Sequence, residues 1–157
     1  MKYLIAAACV ALSACGSTTS TSTSTAGTGS APVTASVPSG SFMSFLNDAR
    51  AQNGLPPVSE DRRLSQAALR HAQDMEANGF FSHTGSNGSS FSDRAKAAGY
   101  SCARNENLAS GNRTPQGVVT AWMNSPGHRA NMLARNVSEY GIGRTDNHWV
   151  LVMGAGC

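Results

Sequence analysis

Trp122-Met123-Asn124-Ser125-Pro126-Gly127-His128-Arg129-Ala130-Asn131-Met132-Leu133 is the stretch on which the reading of this chain turns. It closes one helix and opens another. Upstream, Thr114-Pro115 is a capping residue followed by proline at the first helical position, where a missing N–H costs nothing. Val118, Val119 and Trp122 then give that helix its apolar face. Ser125-Pro126 repeats the cap-and-proline signal, so a second, short helix is expected to reach about Leu133.

Towards the N-terminus the pattern stays helical. Phe42, Phe45, Leu46 and Ala49 fall at helical spacing and Gly54 stops them. Leu55-Pro56-Pro57 is an extended connector, because proline disfavours helix before it. Ser59 or Asp61 caps the next helix, in which Leu64, Ala68, His71 and Met75 share one face and Gly79 is the terminator. Gly85 to Ser90 is a polar loop, and Ser90 or Ser92 opens a third helix through Ala98 with Gly99 as its stop. Tyr100 to Ala103 reads as a short strand. Beyond the quoted stretch, Val137 to Thr145 and Trp149 to Met153 read as two strands with Asp146-Asn147 as the turn between them. Helices first and a hairpin last predict an α+β fold, a three-layer α-β-α sandwich.

The N-terminus obeys different rules. Lys2 is followed by an apolar run from Tyr3 to Leu12, far shorter than the ~20 residues that span a bilayer. It reads as the apolar part of a cleavable export signal over residues 1–14. Leu12-Ser13-Ala14-Cys15 resembles a lipobox, which implies a lipid (diacylglycerol and palmitate) on Cys15; the alternative is an ordinary signal cut nearby. Gly16 rather than Asp follows the cysteine, which in a Gram-negative cell resembles sorting to the outer membrane. Every residue from Ser17 to Thr25 is Ser or Thr. From residue 15 to 40 the chain has no charge and no apolar period, so it cannot offset the entropy of ordering. It is expected to be a flexible tether. The remainder, residues 41–157, has the length of one domain, expected to be monomeric.

Charge and cysteine content narrow the function classes. The formal net charge of +3 drops to +2 once Lys2 leaves with the signal, and the arginines are dispersed. A nucleic-acid footprint needs a basic stripe, so no nucleic-acid partner is expected; the dispersed arginines read as solvated surface. Cys9 leaves with the signal and Cys15 takes lipid, so Cys102 and Cys157 remain as an even pair in an exported protein. A disulfide between them is the expectation; free thiols or zinc ligation are the alternatives.

Four ordered segments carry a resemblance. They are Phe80-Phe81-Ser82-His83-Thr84, Asn105-Glu106-Asn107-Leu108, the quoted run from Trp122 to Leu133, and Glu139-Tyr140-Gly141-Ile142-Gly143. In this order they resemble the bacterial branch of the CAP superfamily of cysteine-rich secretory, antigen 5 and pathogenesis-related proteins, from about Phe45 to Gly154. The resemblance implies an α-β-α sandwich with a cleft lined by two histidines and two acids. Carried over, these are His83, Glu106 and His128. The fourth place falls in many relatives near Asn124, which is not an acid, and Glu139 is the substitute considered. Asn105 stands where the family usually has glycine, and asparagine tolerates positive φ.

Read without the family, His83, Glu106 and His128 sit on loops or element ends, where sites are usually built. Two neutral imidazoles and a carboxylate are reasonable ligands for a divalent metal such as zinc, with an open fourth position. The alternative is a hydrogen-bonded cluster that fixes three segments without metal. His71, on an apolar helix face, reads as a hydrogen-bonded core residue, and His148, beside the hairpin turn, as solvated. Ser82 and Ser125 lack a nucleophile-elbow sequence, and Ser125 reads as a cap. Trp122 and Trp149 read as core. The leading expectation is a non-enzymatic binding module on the cell envelope, anchored to the membrane by its lipid, for a small apolar ligand or an envelope component. A metal-dependent hydrolase working through the same His/Glu cleft, and a structural envelope protein indifferent to it, are the other two.

Overall fold

The computed structural model of the protein describes residues 39–157. The expected signal, lipidated Cys15 and the tether up to residue 38 lie outside the described residues. The elements follow in the order α1 (Ser39–Ala51), β1 (Ser59–Glu60), α2 (Arg62–Asn78), α3 (Phe91–Ala97), β2 (Ala103–Ser110), α4 (Pro115–Met123), α5 (Pro126–Met132), β3 (Glu139–Arg144) and β4 (His148–Gly154). The first helix thus begins two residues before the expected domain start.

One sheet holds the strands in the order β1-β3-β4-β2. The β3–β4 hairpin is antiparallel, β2 lies antiparallel on the other side of β4, and β1 runs parallel to β3. Side chains alternate across a strand, and β4 shows what that does here. Trp149, Leu151 and Met153 enter one core with Phe42, Leu46, Val118 and Trp122. Val150 and Val152 enter a second core with Leu64, Ala68, Met75 and Tyr100. The sheet is therefore sandwiched between α1, α4 and α5 on one face and α2 and α3 on the other, the three-layer α-β-α arrangement expected.

Local chemistry places the boundaries. Of the two candidate caps for α2, Asp61 does the work, accepting from the N–H groups of Arg63 and Leu64, and Gly79 ends the helix at φ 65°. Ser90 caps α3 through a reciprocal capping box with Asp93. Thr114 accepts from Gly117 N–H, with Pro115 inside α4. Ser125 differs: it occupies the cap position of α5 but makes no side-chain cap bond. Close approach of α2 to the sheet needs glycine at two places in β3. A Cβ on Gly141 would collide with the backbone of Leu64 and Ser65, and one on Gly143 with that of Ala68 and Leu69.

Several sequence expectations need correcting. The strand expected at Tyr100–Ala103 is Ala103–Ser110, and the Asn105–Leu108 segment lies inside it. Its polar run hides the strand because this edge strand binds its side chains to other elements, while its backbone is paired with β4. Ser59 and Glu60 form a short strand rather than merely preceding a helix. His148 is not simply solvated: its Nδ1 meets Glu76 Oε2 at 2.8 Å and its ring stacks on Phe81. Nor are all arginines surface groups. Arg50 is 0% exposed and donates to Pro56 O (3.0 Å), Met132 O (2.8 Å) and Ala134 O (3.1 Å). Two of those carbonyls belong to the end of α5 and the residues just beyond, so Arg50 satisfies groups a helix terminus leaves open and fixes α5 to α1. His71 is a buried core histidine whose Nε2–H donates to Ser82 O at 2.8 Å, and Trp122 and Trp149 are core, as expected.

Candidate functional site

The site lies at the β2 edge of the sheet. Glu106 is opposite Val152, so its side chain leaves the strand on the α2–α3 face. Burying a carboxylate there requires partners, and two are present. His83, in the loop after α2, brings Nδ1 to 2.8 Å from Glu106 Oε1, and Arg94 of α3 brings Nη2 to 2.8 Å from Oε2. The Glu106 side chain is 1% exposed and that of Arg94 11%, whereas His83 is 59% exposed. The carboxylate is therefore the buried hub and the imidazole its accessible arm. Arg94 also donates to Ser89 O (2.7 Å) and His83 O (3.0 Å), so one guanidinium braces the loop that carries the histidine.

On the opposite face of β2, Asn107 Nδ2 donates to His128 O at 3.0 Å, and Asn131 Nδ2 donates to Asn107 Oδ1 (2.8 Å) and Glu106 O (3.2 Å). These bonds stitch α5 to the strand beside the site. Trp122 Nε1 donates to Leu108 O at 2.9 Å, fixing α4 to the same strand. Burial first, and then the neighbouring His83, hold the His128 imidazole below its usual pKa, so it is neutral at pH 7. Carboxylate–imidazole contact fixes a tautomer: with Nδ1–H donated to Glu106, His83 presents Nε2 as its remaining acceptor.

The structure thus joins His83 directly to Glu106 and brings His128 within electrostatic reach of His83. Glu139 does not join them. It lies on β3, two strands from β2, and accepts the Tyr100 hydroxyl proton at 2.6 Å. Asn105 lies within β2 and reaches Asn131 O at 3.4 Å. Ser82 exposes its hydroxyl to Thr84 N–H, the bond of a turn rather than of a nucleophile. The sequence reading missed Arg94. Its position in the chain offers no signal, because an arginine one turn into a helix is ordinary until the fold puts a buried acid opposite it. Asn107 and Asn131 were equally silent as partners.

The donors do not fit a three-ligand zinc centre. Glu106 is buried, and the Arg94 guanidinium on one of its oxygens sets a positive charge against any cation that would join it. Among the described residues no three His, Cys, Asp or Glu side chains gather as a metal-holding group. The hydrogen bonds present join His83 and Arg94 to Glu106, while His128 is tied to β2 through its backbone carbonyl. Cys102 and Cys157 carry free thiols in this structure, yet they are neighbours: Ser101 Oγ lies 3.9 Å from one sulfur and 3.6 Å from the other. Their mutual hydrogen bond lowers the Cys157 pKa and raises that of Cys102.

Comparison with known proteins agrees with this layout. Residues 43–152 match the model of the cysteine-rich secretory protein family, CAP, and the chain belongs to that family. It is 37% identical over 121 residues to YkwD of Bacillus subtilis, covering 76% of this chain and 47% of that protein. It is 28% identical over 103 residues to the B. subtilis membrane protein YlbC, covering 65% of this chain and 30% of that one. The chain thus spans less than half the length of both relatives. Among solved structures, an extracellular SCP-domain protein of Bacillus anthracis superposes with a TM-score of 0.70 at 26% identity, covering 74% of this chain and 40% of that one. An outer surface protein of Borrelia burgdorferi gives 0.66 at 25%, covering 74% of this chain and 90% of that one. No helix among the described residues is long and apolar enough to cross a membrane.

Proposed function

We propose that this protein is a lipid-anchored member of the cell envelope whose CAP domain binds a ligand or envelope partner and catalyses no reaction. The observation that carries the reading is the occupancy of Glu106. A general base must be free to take a proton, and a metal ligand must offer a lone pair. The Glu106 side chain is instead 1% exposed, out of reach of solvent, with one oxygen on Arg94 and the other on His83 at 2.8 Å each. Such a hub holds a surface in shape. The exposed His83 ring, the neutral His128 and the neighbouring loop are then the groups a ligand would meet. A wider groove of about 500 Å³ between α1 and α4 has Phe45, Ala49, Val119 and Met123 in its walls together with six polar residues, Asp48 and Arg129 among them, so it has room for a ligand of mixed polarity. The lipobox-like Leu12–Cys15 run and the likeness to an extracellular Bacillus anthracis protein and a Borrelia outer surface protein support display outside the cytoplasm.

The test has two arms. In the host cell, the wild-type chain should sediment with membranes and carry lipid on Cys15, while Cys15→Ser should be released or remain unprocessed. Mass spectrometry that finds an unmodified mature N-terminus at another residue overturns the anchor. The wild-type protein after mild purification should hold metal at background only. Stoichiometric zinc, lost in the His83→Ala, His128→Ala variant, overturns the binding reading in favour of a metal-dependent hydrolase.

A further inference from the structure

The segment after β4 folds back on the residues just before β2. Ala155 N–H donates to Cys102 O at 3.1 Å, Gly156 N–H to the Tyr100 hydroxyl oxygen at 2.9 Å, and Arg63 Nη2 to Cys157 O at 3.0 Å. Tyr100 is 0% exposed and gives its own proton to Glu139, so the group that holds Gly156 is itself held. Gly156 turns the chain at φ 83°, a conformation glycine adopts without strain. These bonds, rather than a chance approach of side chains, set Cys157 beside Cys102.

The two sulfurs are unlike. Cys157 is exposed, while Cys102 is half-buried and packs against the core that holds Tyr100 and Leu108. The hydroxyl of the exposed Ser101 lies 3.6 Å from Cys157 Sγ and 3.9 Å from Cys102 Sγ. Hydrogen bonds from the Cys102 thiol and then from Ser101 hold Cys157 below the usual thiol pKa, and the first of these pushes Cys102 up. Thiolate is the attacking form of cysteine, and access decides which sulfur a reagent meets; Cys157 leads on both counts. Cys102 stands within hydrogen-bond reach of that sulfur, so its own attack there is intramolecular and favoured over that of a thiol from solution. Nearby charges come in both signs, Arg63 and Arg104 against Asp61 and Glu139, so a charged reagent is not selected.

We infer that Cys102 and Cys157 form a thiol–disulfide exchange site for the disulfides of small thiols, with Cys157 as the attacking sulfur and Cys102 as the resolving one. Cys157 thiolate attacks one sulfur of the small disulfide; the S–S bond breaks, and the released thiolate takes a proton from water. Cys102 then loses its proton to solvent and attacks the Cys157 sulfur, and the second small thiolate leaves. The protein dithiol is oxidised by two electrons and the small disulfide is reduced to two thiols. Exposed disulfides belong to the class that thiols reopen, so the step runs in both directions. No group of the His83–Glu106–Arg94 cluster takes part, so the exchange goes beyond the reading above and does not depend on it.

The test is incubation of the reduced full chain with hydroxyethyl disulfide, an uncharged probe, followed by acid quenching and mass spectrometry. Peptide mapping assigns each sulfur, so Cys9 and Cys15 do not confuse the result. The wild-type chain should lose two hydrogens and end with the Cys102–Cys157 bond, without accumulating a mixed disulfide. Cys102→Ser should accumulate the hydroxyethyl adduct on Cys157. In Cys157→Ser the adduct on Cys102 should form more slowly, on the order of tenfold. Ser101→Ala, at an exposed position, should slow the first step severalfold with an unchanged melting temperature. Reduced mercaptoethanol should reopen the internal bond in the folded protein. Adducts that form equally fast at the two sulfurs, or a stable mixed disulfide on the wild-type chain, overturn the assignment of roles. A Cys102–Cys157 bond that mercaptoethanol reopens only after unfolding would make the pair a purely structural link and overturn the exchange site.

Discussion

Replacing Glu106 by Gln tests the hub of the site with almost no change of shape. The wild-type carboxylate, 1% exposed, accepts from Arg94 Nη2 and His83 Nδ1 at 2.8 Å each. Bonds to charged groups contribute about 1.5–3 kcal/mol each. The His83 side chain is 59% exposed, so solvent screens its share and it can turn its other nitrogen or swing out. Arg94 cannot follow, because Ser89 O and His83 O hold it. The amide offers one acceptor and one donor group where two donors wait, so either Arg94 or His83 faces an N–H. Removing one member of a buried ion pair costs about 3–5 kcal/mol. With one acceptor retained, the expected loss is about 2–4 kcal/mol. At a urea m-value near 2 kcal/mol/M this lowers the unfolding midpoint by roughly 1–2 M. Equilibrium urea unfolding, with matched m-values in the two proteins, is the assay. A midpoint within about 0.3 M of wild type would show that the pair with Arg94 contributes nothing and that the cluster is no hub.

Three further outcomes are expected. Gly143→Ala places a methyl group against the backbone of Ala68 and Leu69; overpacking of this kind costs about 1–3 kcal/mol or more, and a melting temperature equal to wild type would show that α2 can recede freely. Mild oxidation should join Cys102 to Cys157 and leave both sulfurs closed to alkylation, with a higher melting temperature than the double serine variant; rapid alkylation of both thiols in the native exported protein excludes the bond. The third outcome concerns pH. Burial holds His71 and His128 below the usual imidazole pKa, so the unfolded chain takes up protons that the folded one refuses. Stability should be complete above about pH 6.5, the unfolded value, and fall as pH drops through it toward the depressed folded values. His71→Gln, which keeps a donor for Ser82 O, should flatten that slope, and an unchanged slope in the variant would remove His71 from the account.

What the chain discloses by itself is local. Caps and stops are written within a few residues of where they act: Thr114-Pro115 opens α4, Gly79 closes α2, and Ser90 with Asp93 opens α3. The same holds for β4, whose apolar residues fill a core on either side of the sheet and read as a strand from composition alone. The order of four motifs suffices for the family, and with it for His83 and Glu106 as neighbours although they stand 23 positions apart. The rest needed the third dimension. β2 is hidden in the sequence because Asn105, Glu106 and Asn107 are polar and find their partners in the loop after α2, in α3 and in α5, segments distant in sequence. Arg50 and Arg94 look like surface residues in the sequence, because an arginine reveals its burial only when the carbonyls or carboxylate that satisfy it arrive from elsewhere. Nothing in the sequence separates Glu139 from the cleft, because spacing does not say which strands lie between two acids. In the sheet, β4 intervenes and Tyr100 claims that carboxylate. Propensity, capping and period act over a few residues and are legible in one dimension. Burial of a charge is decided by partners that only the fold supplies.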